Sequence, residues 1–396
     1  MVAEGSYSRS LGTAKSYRNG SFGPTARVPA RKVPDVSKRI VLCFDGTANQ
    51  IGAGNLTNVA KLFEMLEKND PASQLTYYDP GVGTLAPAQS SLIGKLTLLF
   101  QQAFGAGLKE NVAQAYRYVM QHWRPGDAIY IFGFSRGAYT ARALAGMLLR
   151  PGLLRPGSEN LLPYAVEKYA INRYFTQDEY DNWAQFARAF CWRTENEPLF
   201  ETVKQNSPNQ VWHYAVPVAY LGLWDTVKAA GFLRFGTLRW PYTRALPNVA
   251  RIRHAVSIDE RRRPYREYLV ERHPLGLEER WFAGVHADVG GTFPDHRLAT
   301  IALKWITDGI VGELALDADA YHEQCAVQED FVDAPIHNNG ELWCLVGRRR
   351  RPMGPDALVH PSVLVRRRDN PGYLPNLTAE QQRLSADPTD WTTPAL

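Results

Sequence analysis

The stretch AIYIFGFSRGAYTARALAGMLL, residues 128–149, decides the fold. Its opening residues, 128–134, form a continuous apolar run, which is typical of a central parallel strand covered by helices on both faces. Residues 138–149 follow as a predicted helix. Between the two lies Gly133-Phe134-Ser135-Arg136-Gly137, a G-x-S-x-G pattern in its strand–turn–helix context. The sequence therefore predicts a sharp turn that carries Ser135 between a buried strand and a helix.

The chemistry of a nucleophile explains the two glycines of this turn. The serine hydroxyl projects above the sheet only if the chain bends sharply, and side chains at Gly133 and Gly137 would collide with the neighbouring strand and helix. The helix that begins here directs its N-terminal amides toward the site, where they favour developing negative charge. We therefore predict that Ser135 is the nucleophile; a Gly-Ser turn without chemical meaning is the alternative.

Strand and helix patterns alternate on both sides of this turn. Short apolar runs predict further strands, and apolar residues at helical spacing predict the helices between them. The predicted strands are 38–44, 75–80, 217–224, 255–258 and 280–285, and the predicted helices are 58–68 and 107–123. This alternation indicates an α/β fold of the α/β-hydrolase type, with a mostly parallel sheet and helices on both faces.

A serine nucleophile needs a base, and the base needs an acid that orients it. In α/β-hydrolases the three follow in the order Ser, Asp or Glu, His, each in a loop just past a strand. Asp225 ends the apolar run 221–224, and His286 ends the run 281–285. Both lie at the edge where open α/β sheets bind ligands. We therefore predict Asp225 as the orienting acid and His286 as the base.

Other residues compete for these two roles. Asp225 could instead cap a helix that begins at Thr226. His254 is the main rival base, but it precedes a predicted strand instead of following one. Asp288 is a rival acid; because it lies only two residues from His286, it is better placed to shape the loop or to hold the following helix.

An oxyanion hole for acyl transfer needs two backbone donors. One is predicted at the amide of Arg136, the residue after the nucleophile. The other is predicted at Gly46 and Thr47, because a glycine turn past a neighbouring strand lets the backbone approach the substrate closely. A plain glycine turn at 45–47 is the alternative.

The chain divides into three predicted segments. Residues 1–37 form a basic leader that we expect to be poorly ordered, since residues 1–40 hold eight Lys and Arg against two acidic residues. Residues 38–345 are predicted to form the α/β-hydrolase domain, with 151–210 as an aromatic, helical insertion or cap over the sheet. Residues 346–396, rich in Arg and Pro, are predicted to be an irregular C-terminal segment.

Composition narrows the class of protein. Hydrophobic residues make up 45% and charged residues 21% of the 396 residues, as in globular proteins. The four cysteines form no C-x-x-C pair, so we expect no disulfide framework, and Cys43 is predicted to be buried. No run reaches the roughly 18 apolar residues of a membrane span. The N-terminus lacks an apolar signal-peptide core, so we expect a cytoplasmic protein.

Metal, nucleotide and nucleic-acid sites are not expected. The residues around Asp288 and at 295–296 lack the ligand spacing of a zinc site, and no G-K-[ST] follows the glycines. The arginine clusters 348–351 and 366–368 belong to no recognisable nucleic-acid-binding module. We interpret these clusters as solvated or lipid-facing charge, and we predict that the protein needs no metal and no cofactor.

Seven short motifs, taken in order, resemble those of a known family. They are FDGT at 44–47, NV at 58–59, GVGT at 81–84, GFSRGA at 133–138, LWDTV at 223–227, IDERR at 258–262 and WFAGVHADVGG at 281–291. The set is similar to an α/β-hydrolase domain family that includes the type VI secretion phospholipase effectors of bacteria, over roughly residues 38–300. The resemblance implies lipase or phospholipase chemistry with a triad of Ser135, Asp225 and His286. Effector members usually carry a larger C-terminal membrane-binding region, for which this chain has little room.

The expected reaction is acyl transfer from an ester to water through Ser135. A lipid or a small ester is the expected substrate, and peripheral contact with a membrane is left open. Two alternatives remain: a hydrolase of soluble esters or thioesters, and an inactive hydrolase-like scaffold that binds a partner or a membrane. Oligomeric state is not predicted, and delivery by a type VI system has no support in the sequence itself.

Overall fold

One parallel sheet organises the protein. The computed structural model describes residues 37–46, 56–81, 93–171, 177–206, 213–228, 240–271, 273, 276–338, 347–374, 376–386 and 390–396. The strands of these residues are β1 (Arg39–Phe44), β2 (Gln74–Asp79), β3 (Ala128–Phe134), β4 (Val218–Trp224), β5 (Val249–Ser257), β6 (Leu277–Phe282) and β7 (Leu358–Val359). Their order in the sheet is β2-β1-β3-β4-β5-β6-β7, and every neighbouring pair is parallel. All strands therefore end at the same side of the sheet, called here the carboxyl edge.

Helices connect and cover these strands. In chain order they are α1 (Asn58–Met65), α2 (Ile93–His122), α3 (Arg136–Leu149), α4 (Leu162–Ile171), α5 (Gln177–Phe190), α6 (Phe200–Lys204), α7 (His286–Gly290), α8 (Arg297–Asp308), α9 (Ala318–Gln324), α10 (Pro361–Asp369) and α11 (Ala379–Ser385). Among the described residues, every helix is too short or too polar to cross a membrane.

The alternation of side chains along the strands builds two apolar cores. In β1, Ile40 and Leu42 pack on one face of the sheet with residues of α2 and α3. Val41 and Cys43 point to the other face and pack with residues of α1 and α8. Strands buried on both faces must be apolar throughout, which is why they appear in the sequence as continuous runs. The predicted α/β-hydrolase-like fold, with a parallel sheet and helices on both faces, is confirmed.

Within its described residues the aromatic segment 151–210 contains the helices α4, α5 and α6, but its contacts place part of it far from the carboxyl edge. Trp192 packs edge-on against Trp123, with ring centroids 6.0 Å apart. Glu197 accepts a hydrogen bond of 2.8 Å from the amide of Gly126. Trp123 and Gly126 precede β3, so these contacts lie at the opposite, amino edge of the sheet. A cap over the carboxyl edge is therefore the wrong description for this part of the segment.

The C-terminal segment 346–396 was expected to be irregular, and the structure differs. It adds β7 to the sheet, where Val359 pairs with Trp281 of β6, and it contributes α10 and α11. Arg366, expected to be solvated or lipid-facing, donates hydrogen bonds to the backbone carbonyls of Val332 and Ala334. Because it supplies an edge strand, this segment belongs to the folded body of the protein.

The turn between β3 and α3 brings the helix into direct contact with the end of β1. A Cβ atom on Gly137 would lie 2.2 Å from the carbonyl oxygen of Phe44 and 2.5 Å from that of Asp45. A Cβ atom on Gly133 would lie 2.7 Å from the Cα of Ala138. These backbone atoms cannot move aside without displacing a strand or a helix, so both positions require glycine.

Gly137→Ala should therefore destabilise the whole domain. Overpacking of this kind costs roughly 1–3 kcal/mol or more, which urea unfolding followed by circular dichroism would measure. Gly354→Ala is the matched control, because a Cβ atom there meets nothing within 4 Å. Equal unfolding free energies for the two variants would contradict the close approach.

Candidate active site

The parallel sheet brings the three predicted triad residues to one edge. Ser135 directly follows β3, Asp225 directly follows β4, and His286 lies a few residues beyond β6. Because β3, β4, β5 and β6 are parallel neighbours, the loops that leave their carboxyl ends lie side by side. Residues separated by up to 151 positions in the sequence therefore meet.

Hydrogen bonds connect the three side chains in sequence. Ser135 Oγ lies 2.8 Å from His286 Nε2, and His286 Nδ1 lies 2.5 Å from Asp225 Oδ2. All three residues are buried, with 6%, 5% and 1% of Ser135, His286 and Asp225 exposed. An ionised Asp225 keeps the proton on Nδ1, so that Nε2 is free to accept the proton of the serine hydroxyl.

Both Ser135 and Asp225 have an unusual backbone conformation. Their φ angles are positive, 59° and 38°, a region that non-glycine residues rarely adopt. Each is held there by a bond to the neighbouring strand: the Ser135 amide donates to the Trp224 carbonyl at 3.0 Å, and the Asp225 amide donates to the Ala255 carbonyl at 2.7 Å. Such strain, on the order of 1–3 kcal/mol per residue, persists only where the surrounding structure imposes it, and it is typical of functional sites.

Aromatic rings exclude water from His286. Phe134 stacks on the imidazole with centroids 4.7 Å apart, and Tyr265 meets it edge-on at 4.9 Å. Burial lowers the pKa of His286, although the bond to Asp225 and the charges of Asp225 and Glu260 oppose this. The net pKa is below the ordinary histidine value, so the ring is neutral near pH 7 and can act as a base.

Asp225 remains ionised although it is fully buried. Burial raises the pKa of its carboxyl group, but the positive charge of Arg351 and the hydrogen bonds from His286 and Arg351 lower that pKa by more than burial raises it. The net pKa of Asp225 is well below its ordinary range. The amide of Ser257 also donates a hydrogen bond to Asp225 Oδ1, at 2.9 Å.

Arg351 is a residue of the site that sequence analysis missed. Its guanidinium group binds both carboxylate oxygens of Asp225, with distances of 2.5 Å to Oδ1 and 3.0 Å to Oδ2. It also donates to the carbonyl of Ser257 at 3.1 Å and to that of Tyr265 at 2.5 Å. Its side chain is 3% exposed.

The interpretation of residues 348–351 as solvated or lipid-facing charge is therefore wrong at position 351, while 348–350 are exposed. Only the path of the chain distinguishes the last of four consecutive arginines, so no signal in the sequence identifies it.

A second missed residue, Glu260, fixes the start of α7. Its Oε2 accepts a hydrogen bond of 3.2 Å from the His286 amide. Burial raises the pKa of Glu260, but a two-point hydrogen-bonded ion pair with Arg262 lowers it more, and the carboxyl group stays charged. Arg262 in turn lies over the ring of Tyr265, 3.7 Å from its centroid. The motif IDERR thus supports the histidine loop; the resemblance to a family was the one signal that pointed to it.

The rival base and the rival acid have other partners. His254 is buried within β5, where its Nδ1 lies 2.8 Å from Glu279 and its Nε2 accepts a hydrogen bond from the Thr226 amide at 3.2 Å. His254 therefore stabilises the turn after Asp225 through its hydrogen bond with the Thr226 amide. Asp288 accepts a bond of 2.9 Å from the Val285 amide, as expected for a residue that shapes the loop. Its other oxygen lies 2.6 Å from His337 Nδ1.

Within the described stretch 213–228, no helix begins at Thr226. Val227 instead pairs with Glu267 in an antiparallel bridge. The interpretation of Asp225 as a helix cap is therefore wrong, and its carboxylate serves His286 and Arg351.

The expected oxyanion donors have different outcomes. Arg136 is the first residue of α3, so its amide belongs to the helix N-terminus beside Ser135. The Gly46 amide donates to the carboxylate of Asp45 at 2.6 Å. Gly46 would have to release this bond to bind an oxyanion, which argues against its predicted role. Thr47 lies outside the described residues.

Comparison with known proteins places the chain in a family. Residues 38–309 match the model of the family described as "T6SS, Phospholipase effector Tle1-like, catalytic domain". The chain belongs to this family. Membership confirms the resemblance found in the sequence. The part that matches the Tle1-like catalytic domain includes Ser135, Asp225 and His286, whereas Arg351 lies beyond it.

Individual relatives of this Tle1-like domain are longer than the chain. An uncharacterised protein of Saccharomyces cerevisiae is 34% identical over 259 residues, which are 64% of this chain but 35% of the yeast protein. A crystal structure of an uncharacterised protein from Pseudomonas aeruginosa has a TM-score of 0.42 and 19% identity, covering 88% of this chain and 61% of that one. The structure of the Tle1 effector bound to the VgrG spike of the type VI secretion system has a TM-score of 0.38 and 17% identity, covering 66% and 52%. The chain thus spans about a third of the yeast protein and somewhat more than half of each solved chain.

Arg351→Met should destabilise the protein and change the titration of His286. Loss of one partner of a buried ion pair costs roughly 3–5 kcal/mol of stability. The positive charge of Arg351 lowers the pKa of His286, so its removal should raise that pKa. Urea unfolding and NMR titration of the His286 ring would measure the two effects.

Arg350→Met is the control for this experiment, because Arg350 is the exposed neighbour of Arg351. Arg350→Met should leave the free energy of unfolding and the pKa of His286 unchanged. A His286 pKa that stays the same in folded Arg351→Met protein would show that Arg351 does not act on the relay.

Proposed function

We propose that the chain is a serine hydrolase that cleaves carboxylic ester bonds of phospholipids through an acyl-enzyme. In this proposal Ser135 is the nucleophile, His286 the general base and Asp225 the orienting acid. The observation that carries it is the chain of two short hydrogen bonds from Ser135 Oγ through His286 to Asp225, buried at the carboxyl edge. The strained turn at Ser135 and the neutral state of His286 support the same roles.

The first half of the reaction forms the acyl-enzyme. Ser135 Oγ attacks the ester carbonyl carbon while His286 Nε2 takes the hydroxyl proton. The carbonyl oxygen becomes an oxyanion, which the Arg136 amide at the start of α3 would stabilise. His286 then gives its proton to the leaving alcohol oxygen as the bond between that oxygen and the carbonyl carbon breaks. The lysophospholipid departs, and the fatty acyl group stays on Ser135.

The second half returns the enzyme to its starting state. Water attacks the acyl carbon, and His286 Nε2 accepts one of its protons. The bond to Ser135 Oγ then breaks, Oγ recovers the proton from Nε2, and the fatty acid is released. Asp225 stays ionised throughout and stabilises the imidazolium that forms in each half, as its low pKa allows.

Family membership supports lipid as the substrate, because the matching model is that of a phospholipase effector catalytic domain. A hydrolase of soluble esters or thioesters would use the same three residues, so the substrate must be tested separately. Initial rates on phosphatidylcholine–phosphatidylglycerol vesicles and on nitrophenyl butyrate would separate the two classes. Cleavage of the soluble ester without release of fatty acid from vesicles would overturn the lipid assignment.

Ser135→Ala should remove ester hydrolysis and leave the fold intact. In serine hydrolases, loss of the nucleophile lowers kcat by a factor on the order of 10⁶. The variant should also lose labelling by a fluorophosphonate probe, which reacts with activated serines. Ser158→Ala is the control, because that side chain makes no capping hydrogen bond and lies outside the site. Hydrolysis that survives in the Ser135 variant would refute Ser135 as the nucleophile. Wild-type protein that the probe fails to label would favour the inactive scaffold.

The pH dependence of kcat/KM should report the unusual state of His286. The neutral ring is the active form, and burial lowers its pKa. Activity should therefore be constant at neutral pH and fall as the pH drops through a midpoint below the ordinary histidine value of about 6.5. Nitrophenyl butyrate hydrolysis, corrected for the uncatalysed rate, would give this midpoint. A midpoint above that value would show that the ring is not desolvated as described.

A further inference from the structure

A cavity of about 660 Å³ lies between residue 228, residues 240–245 and residues 263–271, and it has no role in the chemistry described so far. Four basic residues line it, together with aromatic and acidic side chains. The basic residues are Lys228, Arg244, Arg263 and Arg266, and the acidic residues are Glu267 and Glu271.

The walls of the cavity are the segments that hold the triad. Lys228 lies three residues after Asp225, and the amide of Val227 between them donates to the carbonyl of Ser135 at 3.4 Å. The amide of Tyr268 donates to the carbonyl of Thr226 at 3.1 Å. A molecule in the cavity therefore contacts segments whose backbone is hydrogen-bonded to the nucleophile turn, directly or through one further residue.

Positive charge dominates the lining. Arg266 Nε lies 3.7 Å from Glu267, which is also 4.0 Å from Arg351, so this carboxylate is already shared between two cations. Among the described residues, neither Arg244 nor Arg263 has a carboxylate within ion-pair distance. Both are exposed and able to reach a ligand.

Three cations lie close to the ring of Tyr268 in the wall of the cavity. Arg244 lies over its ring at 4.7 Å from the centroid, and Lys228 lies at 5.9 Å. The fully buried Arg142 lies at 5.3 Å from the same ring. Because these cations already surround the ring, it is not free to form an aromatic cage for a quaternary ammonium group. The cavity thus favours anions over cations.

We propose that this cavity is a headgroup subsite that binds the phosphate of an anionic phospholipid and selects headgroups with a net negative charge over zwitterionic ones. The planar forks of Arg244 and Arg263 suit the oxygens of a phosphate diester. The proposal rests on the proposed phospholipase function, since it assigns the cavity to the same substrate whose ester meets Ser135.

Competition within one membrane tests the proposal. Vesicles of equimolar phosphatidylglycerol and phosphatidylcholine with distinguishable acyl chains offer both lipids to an enzyme bound to the same surface. The ratio of the two lysolipid products then reports headgroup choice and not membrane attachment. Wild-type protein should favour phosphatidylglycerol by about tenfold or more, because the cations of the lining repel the quaternary ammonium of choline but not the neutral glycerol; tenfold corresponds to about 1.4 kcal/mol.

The double variant Arg244→Gln, Arg263→Gln should bring this product ratio close to one. Arg244→Lys, Arg263→Lys, which keeps the charge, should recover part of the preference. The control Arg188→Gln, Arg383→Gln removes the same charge from exposed positions outside the cavity and should keep the wild-type ratio. A wild-type ratio near one, or a ratio that the double variant leaves unchanged, would overturn the subsite.

Two further measurements distinguish failure of the headgroup subsite from failure of the proposed function, and a lipid headgroup from free phosphate as the ligand. Wild-type protein that cleaves nitrophenyl butyrate but shows no headgroup preference would refute the subsite alone, whereas protein that cleaves neither ester nor lipid would refute the proposed function. Inorganic phosphate is the probe for a free-anion site. If it inhibits the wild type but not the double variant while the lipid product ratio is one, the cavity binds free phosphate and the headgroup assignment is wrong.

Discussion

The buried carboxylate of Asp225 is the constraint on which the rest of the site depends. A charge that is 1% exposed is tolerated only if other groups compensate it. Arg351 and His286 bind its oxygens, and the amide of Ser257 adds a further hydrogen bond. These partners come from different parts of the chain, so the ionised state of one side chain fixes the relative positions of β4, β5, the histidine loop and the C-terminal segment.

This arrangement makes the C-terminal segment part of the candidate site. The region that matches the family model ends at residue 309, yet Arg351 supplies the cation that binds Asp225 and β7 completes the edge of the sheet. A positive charge so close to the relay has two consequences. It lowers the pKa of Asp225, and it adds to the larger effect of burial, which lowers the pKa of His286 and keeps the imidazole neutral. The segment therefore acts on both protein partners of the serine.

The loop after β5 joins the relay to the cavity beside it. Its Tyr265 packs against the imidazole of His286 and accepts a bond from Arg351 through its carbonyl. Its neighbours Arg263, Arg266 and Glu267 line the cavity. A ligand in the cavity would thus contact the same loop whose Tyr265 shields the His286 ring from water. In the proposed function, substrate recognition and proton transfer would therefore depend on the same short stretch of chain.

The sequence by itself determined the fold class and the three residues of the proposed triad that the structure brings together at the carboxyl edge. Continuous apolar runs identify strands buried on both faces, and each triad residue follows such a run, so local patterns sufficed for Ser135, Asp225 and His286. Local patterns could not identify Arg351, because four consecutive arginines are equivalent until the chain path buries one of them. Local patterns also could not predict that part of the aromatic segment lies at the amino edge, or that the Gly46 amide is occupied by a hydrogen bond. Contacts between distant segments decide these features, and the free energy of burying a charge or a ring depends on neighbours that only the tertiary structure supplies.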